Sequence, residues 1–248
     1  MMMNKNWGLL VIFICLVWFM GMGNTAVSAG ADNFLYLPLS MRQIGGPVLF
    51  GPVHTGEGTY YNATGAGNCS FDPSPQDLMV AALNQVDYAD SALCGAFIQV
   101  VGPLGPVIVR VVDQCPGCPE GDVDLSQEAF ALIAPLSAGR VPITWQLLSP
   151  QLDSPIVYHF KDGSNQWWTA VQIRNHRNPI LKLEYLDNSG NFQEVPRLSY
   201  NYFVEASGMG PGPYTFRVTD ILGNTLTDSG IPHVENGDVN GSGQFPAP

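Results

Sequence analysis

The chain has 248 residues, room for two ordinary domains, and a formal charge of −11 with only 12% charged residues. So acidic a surface repels nucleic acid and anionic lipid, which argues against both as partners. Sparse charge with abundant Gly, Pro, Asn and Tyr suits an all-β exported protein whose ligand is uncharged.

Lys5 precedes an apolar run over residues 7–20, and the small residues Ala26-Val27-Ser28-Ala29-Gly30-Ala31 follow it. The run is shorter than the about 20 residues of a membrane span. Residues 1–31 are therefore expected to be a secretory signal, cleaved after Ala29 or Ala31, leaving an extracellular protein with no membrane segment. Residues 32–52 hold Pro38, Gly45, Gly46, Pro47 and Gly51 without a clear period, and are expected to form an N-terminal arm.

A first domain is expected over residues 53–149, with strands at 58–61, 96–101, 107–112 and 142–148. Gly102-Pro103-Leu104-Gly105-Pro106 reads as a hairpin turn between two of them. Residues 76–84 have helical spacing, with Leu78, Ala82 and Leu83 on the apolar side. Ser126 is placed to cap a second helix carrying Phe130, Ile133 and Ala134. These elements amount to a small β-barrel with one or two short helices. The Pro-rich joint at 150–155 disfavours helix and marks a boundary. It implies a stiff connection and one surface shared by both domains. Residues 156–248 alternate with a period of two, in Ile156, Tyr158 and Phe160, in Leu181, Leu183 and Tyr185, and in Tyr214, Phe216 and Val218. Turns at Asp162-Gly163-Ser164, Asn188-Ser189-Gly190 and Gly223-Asn224 separate such runs, which indicates a β-sandwich.

Loss of the signal removes Cys15 and leaves Cys69, Cys94, Cys115 and Cys118. Four cysteines in an oxidising compartment imply two disulfides, and three connectivities are open. Cys115-Pro116-Gly117-Cys118 has redox or zinc spacing, but no second Cys/His pair accompanies it, so a structural disulfide is the better reading and no metal or cofactor is expected.

Two features carry chemistry. Asp113 and Asp124 flank this cysteine-pinned stretch, and a returning loop would bring them together, with Asp122 in reach. Two carboxyls about 6.5–9.5 Å apart are what inverting sugar hydrolysis needs. The bland alternative has Asp113 capping a turn, with Asp124 and Ser126 satisfying donors at the helix start. Trp167-Trp168 and Tyr200 offer flat rings of the kind that stack on pyranose faces, with Lys161 as a hydroxyl donor. If the Trp pair opened a strand, alternation would send one ring inward. Asn62, Asn68 and Asn240 each head an Asn-x-Ser/Thr acceptor sequence.

The motifs resemble those of the expansins in their microbial form. Gly58-Thr59-Tyr60-Tyr61 with Thr64-Gly65-Ala66-Gly67-Asn68-Cys69 is similar to that family's opening strand and glycine loop, and Leu93-Cys94-Gly95-Ala96 to its Cys-Gly strand. Val112-Asp113-Gln114-Cys115-Pro116 and Val123-Asp124-Leu125-Ser126 resemble its polar-site motifs. Lys161-Asp162-Gly163-Ser164-Asn165-Gln166-Trp167-Trp168 and Tyr200-Asn201-Tyr202-Phe203-Val204 resemble its C-terminal module. The resemblance implies a six-stranded double-psi β-barrel followed by an immunoglobulin-like module of carbohydrate-binding family 63. It implies wall loosening without bond hydrolysis, by disruption of cellulose or hemicellulose contacts; xyloglucan and peptidoglycan stay open as targets, a monomer is the default, and the alternatives are a glycoside hydrolase or lytic transglycosylase using Asp124 as acid and a plain wall-adhesion module. Asp124 then takes the essential acid's place, with Thr59 and Asp113 beside it. Trp167, Trp168 and Tyr200 form the stacking row with Lys161, both indoles being turned outward by a bulge or twist. The pairs Cys69–Cys94 and Cys115–Cys118 follow from the same likeness. In the related barrel of family 45 endoglucanases a base stands at the end of the first strand, and here Asn62 falls nearest. An amide activates no water, which accounts for a loss of hydrolysis. Some relatives carry an aromatic residue where this chain has Cys115.

Overall fold

The computed structural model describes residues 46–248. The signal at 1–31, and the arm as far as residue 45, lie outside them. Residues 48–52 of the expected arm belong instead to the barrel, because β1 runs from Val48 to Tyr61. Val48, Leu49 and Phe50 pair with Ser149, Leu148 and Leu147, and the register then shifts before His54. Gly51 and Pro52 thus mark a bulge within one long strand, not the end of a linker.

Six strands close the barrel in the order β1-β5-β2-β4-β3-β6. They are β1, β2 (Val80–Asn84), β3 (Phe97–Gly102), β4 (Gly105–Cys115), β5 (Val123–Ser126) and β6 (Val141–Ser149). β1 pairs parallel with β5, and β2 with β4, inside an otherwise antiparallel sheet, as a double-psi barrel requires. The turn between β3 and β4 forms as expected, with Gly102 facing Gly105. The expected helix at 76–84 is absent. Its second half is β2, all five residues buried, followed by the short α1 (Gln85–Tyr88). A strand with neighbours on both edges and cover on both faces shows a continuous apolar run, which periodicity does not separate from a buried helix. The second helix forms as α2 (Gln127–Ile133), with Ser126 Oγ accepting from Ala129 N at 3.0 Å. Phe130, Ile133 and Ala134 join the barrel core around Ile98, Val111, Leu125 and Trp145.

The second half is a sandwich of two four-stranded sheets, β10-β9-β12-β13 and β11-β8-β7-β14. One sheet holds β9 (Ile180–Leu186), β10 (Phe192–Val195), β12 (Tyr214–Asp220) and β13 (Thr225–Ile231); the other holds β7 (Val157–Phe160), β8 (Thr169–Arg174), β11 (Phe203–Glu205) and β14 (Asp238–Asn240). Tyr158, Phe160, Ile173, Leu183, Phe216 and Val218 fill the space between them. Each is the inward member of the alternation visible in the sequence.

Barrel and sandwich meet along a polar seam. Gln172 Nε2 and Asn201 Nδ2 both donate to the Cys69 carbonyl, at 2.8 and 3.3 Å. Ser91 Oγ donates to Leu198 O at 2.9 Å, Tyr88 OH to Ser199 O at 2.8 Å, and Arg174 Nη1 to Asp72 at 2.8 Å. Among the described residues no helix is long and apolar enough to cross a membrane.

Candidate functional site

Strand register builds the polar half of the site. Thr59 on β1 is opposite Asp124 on β5, Asp124 is opposite Ala82 on β2, and Ala82 is opposite Asp113 on β4. The four residues form one row across four adjacent strands, and neighbours in such a row share a face. Two strand spacings put the Asp113 and Asp124 backbones about 9–10 Å apart, with only a methyl group between them. It is therefore register within the sheet that brings the carboxyls together, where a returning loop was expected. The helix-start role expected of Asp124 is not observed, since Asp124 lies within β5 and Ser126 alone caps α2.

The two carboxyls differ. Asp124 Oδ1 accepts from Thr59 Oγ1 at 2.6 Å. Burial raises its pKa above the ordinary aspartate range, a shift that the Thr59 bond and the Arg140 charge oppose and that Asp113 reinforces. Asp113 Oδ1 accepts two backbone N–H groups, Asn68 at 2.6 Å and Gln114 at 2.8 Å. The glycine loop lies directly on it, for a methyl group at Gly67 would fall 2.3 Å from Asp113 Cγ. Asp113 thus clamps a loop, while Asp124 keeps a proton to higher pH than a free aspartate does. Asp122 is turned to the backbone, accepting from Glu57 N at 2.7 Å. Asn62 stands just past the end of β1, where its Oδ1 accepts from Gln127 Nε2.

Tyr61 was not singled out from the sequence. It lies two residues beyond Thr59 on β1, hence on the same face. Its hydroxyl is buried and has no partner. Burial, then the Asp113 and Asp124 charges, push its pKa far up, so it remains a donor. The signal available was the Thr-x-Tyr spacing on an outward strand face.

In the sandwich, Trp167 and Trp168 do not open a strand. Asn165 and Trp168 bridge each other, and Gln166-Trp167 forms the tip of a tight turn before β8. Asn165 Oδ1 accepts from Trp167 N at 2.9 Å. Trp167 is 73% exposed. Trp168 is half-buried and packs with Tyr200 against Ala170, Tyr202 and Val204. The turn, not a bulge or strand twist, frees both indoles from strict alternation. Lys161 Nζ sits 5.8 Å from the Tyr202 ring centroid. Trp168, Tyr200 and Lys161 are thus gathered on one patch, with Trp167 projecting beside them.

Asn68 ties this patch to the carboxyls. Its backbone N–H holds Asp113, while its side-chain Nδ2 donates to Tyr88 OH at 2.9 Å and to Ser199 O at 3.1 Å. Ser199 precedes Tyr200, so polar row and aromatic patch meet at the seam. The disulfides Cys69–Cys94 and Cys115–Cys118 are both formed, each with Cα atoms 5.4 Å apart. They pin the glycine loop and the turn after Asp113. Among the described residues no group of His, Cys, Asp or Glu is arranged to hold a metal ion.

Comparison with known proteins agrees with this geometry. A family model described as lytic transglycolase matches residues 80–145. Expansin-YoaJ of Bacillus subtilis (strain 168) is 34% identical over 205 residues, which is 78% of this chain and 87% of that protein. The crystal structure of apo expansin from Clavibacter michiganensis superposes with a TM-score of 0.74 at 32% identity, covering 79% of this chain and 100% of that one. A mutant of the same protein, solved in complex with cellohexaose, matches with the same score, identity and coverage. This chain belongs to the expansin family.

Proposed function

We propose that this protein is a secreted expansin that binds cellulose and related β-glucans and loosens their packing without cutting glycosidic bonds. The observation that carries the reading is the inequality of the two carboxyls: Asp124 is a buried, proton-retaining acid, whereas Asp113 spends Oδ1 on two backbone N–H groups. Inverting hydrolysis calls for an acid and a free water-activating carboxylate, and the end of β1 carries the amide Asn62 instead. The exposed Trp167 and the Trp168–Tyr200 patch supply a stacking surface, as the cellohexaose complex of the Clavibacter relative suggests. Its partners in this reading are cellulose and xyloglucan.

The test is a creep assay on plant wall strips with reducing ends counted in the same sample. Extension without new reducing ends is expected. Extension accompanied by released sugars, or no extension, would overturn the proposal. A second reading, lytic cleavage of peptidoglycan, is favoured by the family-model match, whose span includes both Asp113 and Asp124. It requires anhydro-sugar products, which mass spectrometry of digested sacculi would reveal.

A further inference from the structure

An open pocket adjoins the turn that carries Trp167. The turn carrying Trp167 and the segment carrying His233 and Glu235 border an open pocket of about 420 Å³. That size lies within the about 300–1,000 Å³ of small-molecule sites. Its walls are held in place. Gly163 N donates to Glu235 Oε1 at 3.1 Å, and His233 Nε2 lies 3.3 Å from Ser164 Oγ. His233 also stands edge-on to Phe160 at 4.9 Å, and Gly210 N donates to Gln166 O at 3.1 Å. Indole, carboxylate, carboxamide and imidazole then line one small space, with Glu235 Oε2 left to accept from a ligand.

That set fits a hydroxylated ring. A pyranose can lay its C–H face against an indole and offer vicinal hydroxyls to a carboxylate and an amide. Glu235, on a chain of formal charge −11, disfavours uronic acids and phosphates. A sugar hanging from a glucan stacked on Trp167 has a free ring and hydroxyls of the kind this pocket can take, which an unbranched chain lacks. We propose that this pocket binds a neutral pyranose branch, so that the protein prefers substituted β-glucans to bare ones. The inference rests on the β-glucan reading above and adds a specificity site to it.

Isothermal titration with cellohexaose and with a xylosylated cello-oligosaccharide of equal backbone length tests it. The branched ligand is expected to bind about fivefold tighter, or ~1 kcal/mol. Glu235→Gln keeps an acceptor for Gly163 and should shrink the preference. Because Glu235→Gln also spares the contact between His233 and Ser164, it should leave cellohexaose affinity as in the wild type. A wild type that binds both ligands equally, or a variant that weakens both alike, would overturn the pocket while sparing the stacking surface. Binding of neither ligand would remove both.

Discussion

Asp124 illustrates how one residue's environment sets its chemistry. Its ionised form is penalised by burial, so the folded state holds the proton above the pH at which an unfolded aspartate has lost it. For an acid shifted upward, the fold is most stable on the acid side of that window and loses stability as pH rises through the folded pKa. If loosening uses the protonated carboxyl, creep should decline as pH climbs out of the raised aspartate range. Asp124→Asn should give low, pH-independent creep with a melting temperature at neutral pH equal to or above the wild type, because an amide still accepts from Thr59 and costs less to bury. Tyr61 gives a sharper case. A buried donor without a partner costs about 1–3 kcal/mol, and its hydroxyl faces the same row as the two carboxyls. Tyr61→Phe should therefore melt no lower than the wild type yet lose creep activity. A lower melting point would mean that the hydroxyl already has a partner in the free protein.

At the scale of elements, the turn before β8 decides whether the indoles are available. Gly208 has a φ of +77°, and a methyl group there would fall 2.1 Å from the Gln166 carbonyl oxygen at the turn's tip. Gly208→Ala should displace Trp167 and weaken binding to cellulose at least about tenfold, or ~1.4 kcal/mol. Pull-down isotherms should show a loss approaching that of Trp167→Ala combined with Trp168→Ala, with the barrel's melting unaltered. The same scale explains what could be read from sequence. In the sandwich β12 was legible because buried Tyr214, Phe216 and Val218 alternate with the less buried Thr215 and Arg217. The cap at Ser126 was legible because its partner lies three residues away. β2 was not, since an all-buried strand of Val, Ala and Leu has no period to show. Local pattern did not give the common row of Thr59, Asp124 and Asp113 either, because register is fixed by the closing of the barrel; only the family motifs placed the three together. Family motifs singled out the Trp pair, which alternation alone would have divided between core and surface; the structure leaves Trp167 exposed and Trp168 half-buried.

For the whole molecule, the seam is the sensitive part. His176 is buried there, its Nδ1 2.8 Å from Asn178 O and its Nε2 close against Gly95 of the barrel. Burial, with the Arg197 and Arg110 charges, pulls its pKa down to about 4, against the opposing hydrogen bond to Asn178. An unfolded histidine takes up its proton near 6.5, so between these values the unfolded chain binds more protons. The stability contributed by keeping His176 neutral is complete above about pH 6.5 and is lost as pH falls toward 4. Melting curves across this range should drop in the wild type and drop less in His176→Asn; parallel curves would show that the seam does not titrate.

Asn68 heads an Asn-Cys-Ser acceptor sequence, and the nitrogen that a glycan would occupy is the one that donates to Tyr88 and Ser199. A host that glycosylates its exported proteins would therefore install a sugar in the middle of the joint and pry the halves apart. Ser70 has a φ of +55°, a conformation natural to glycine. Ser70→Gly would abolish this acceptor without disturbing Asn68, so with Thr64→Ala and Ser242→Ala removing the acceptors at Asn62 and Asn240, yeast-made protein carrying Ser70→Gly should behave like unglycosylated protein, and yeast-made protein without it should not.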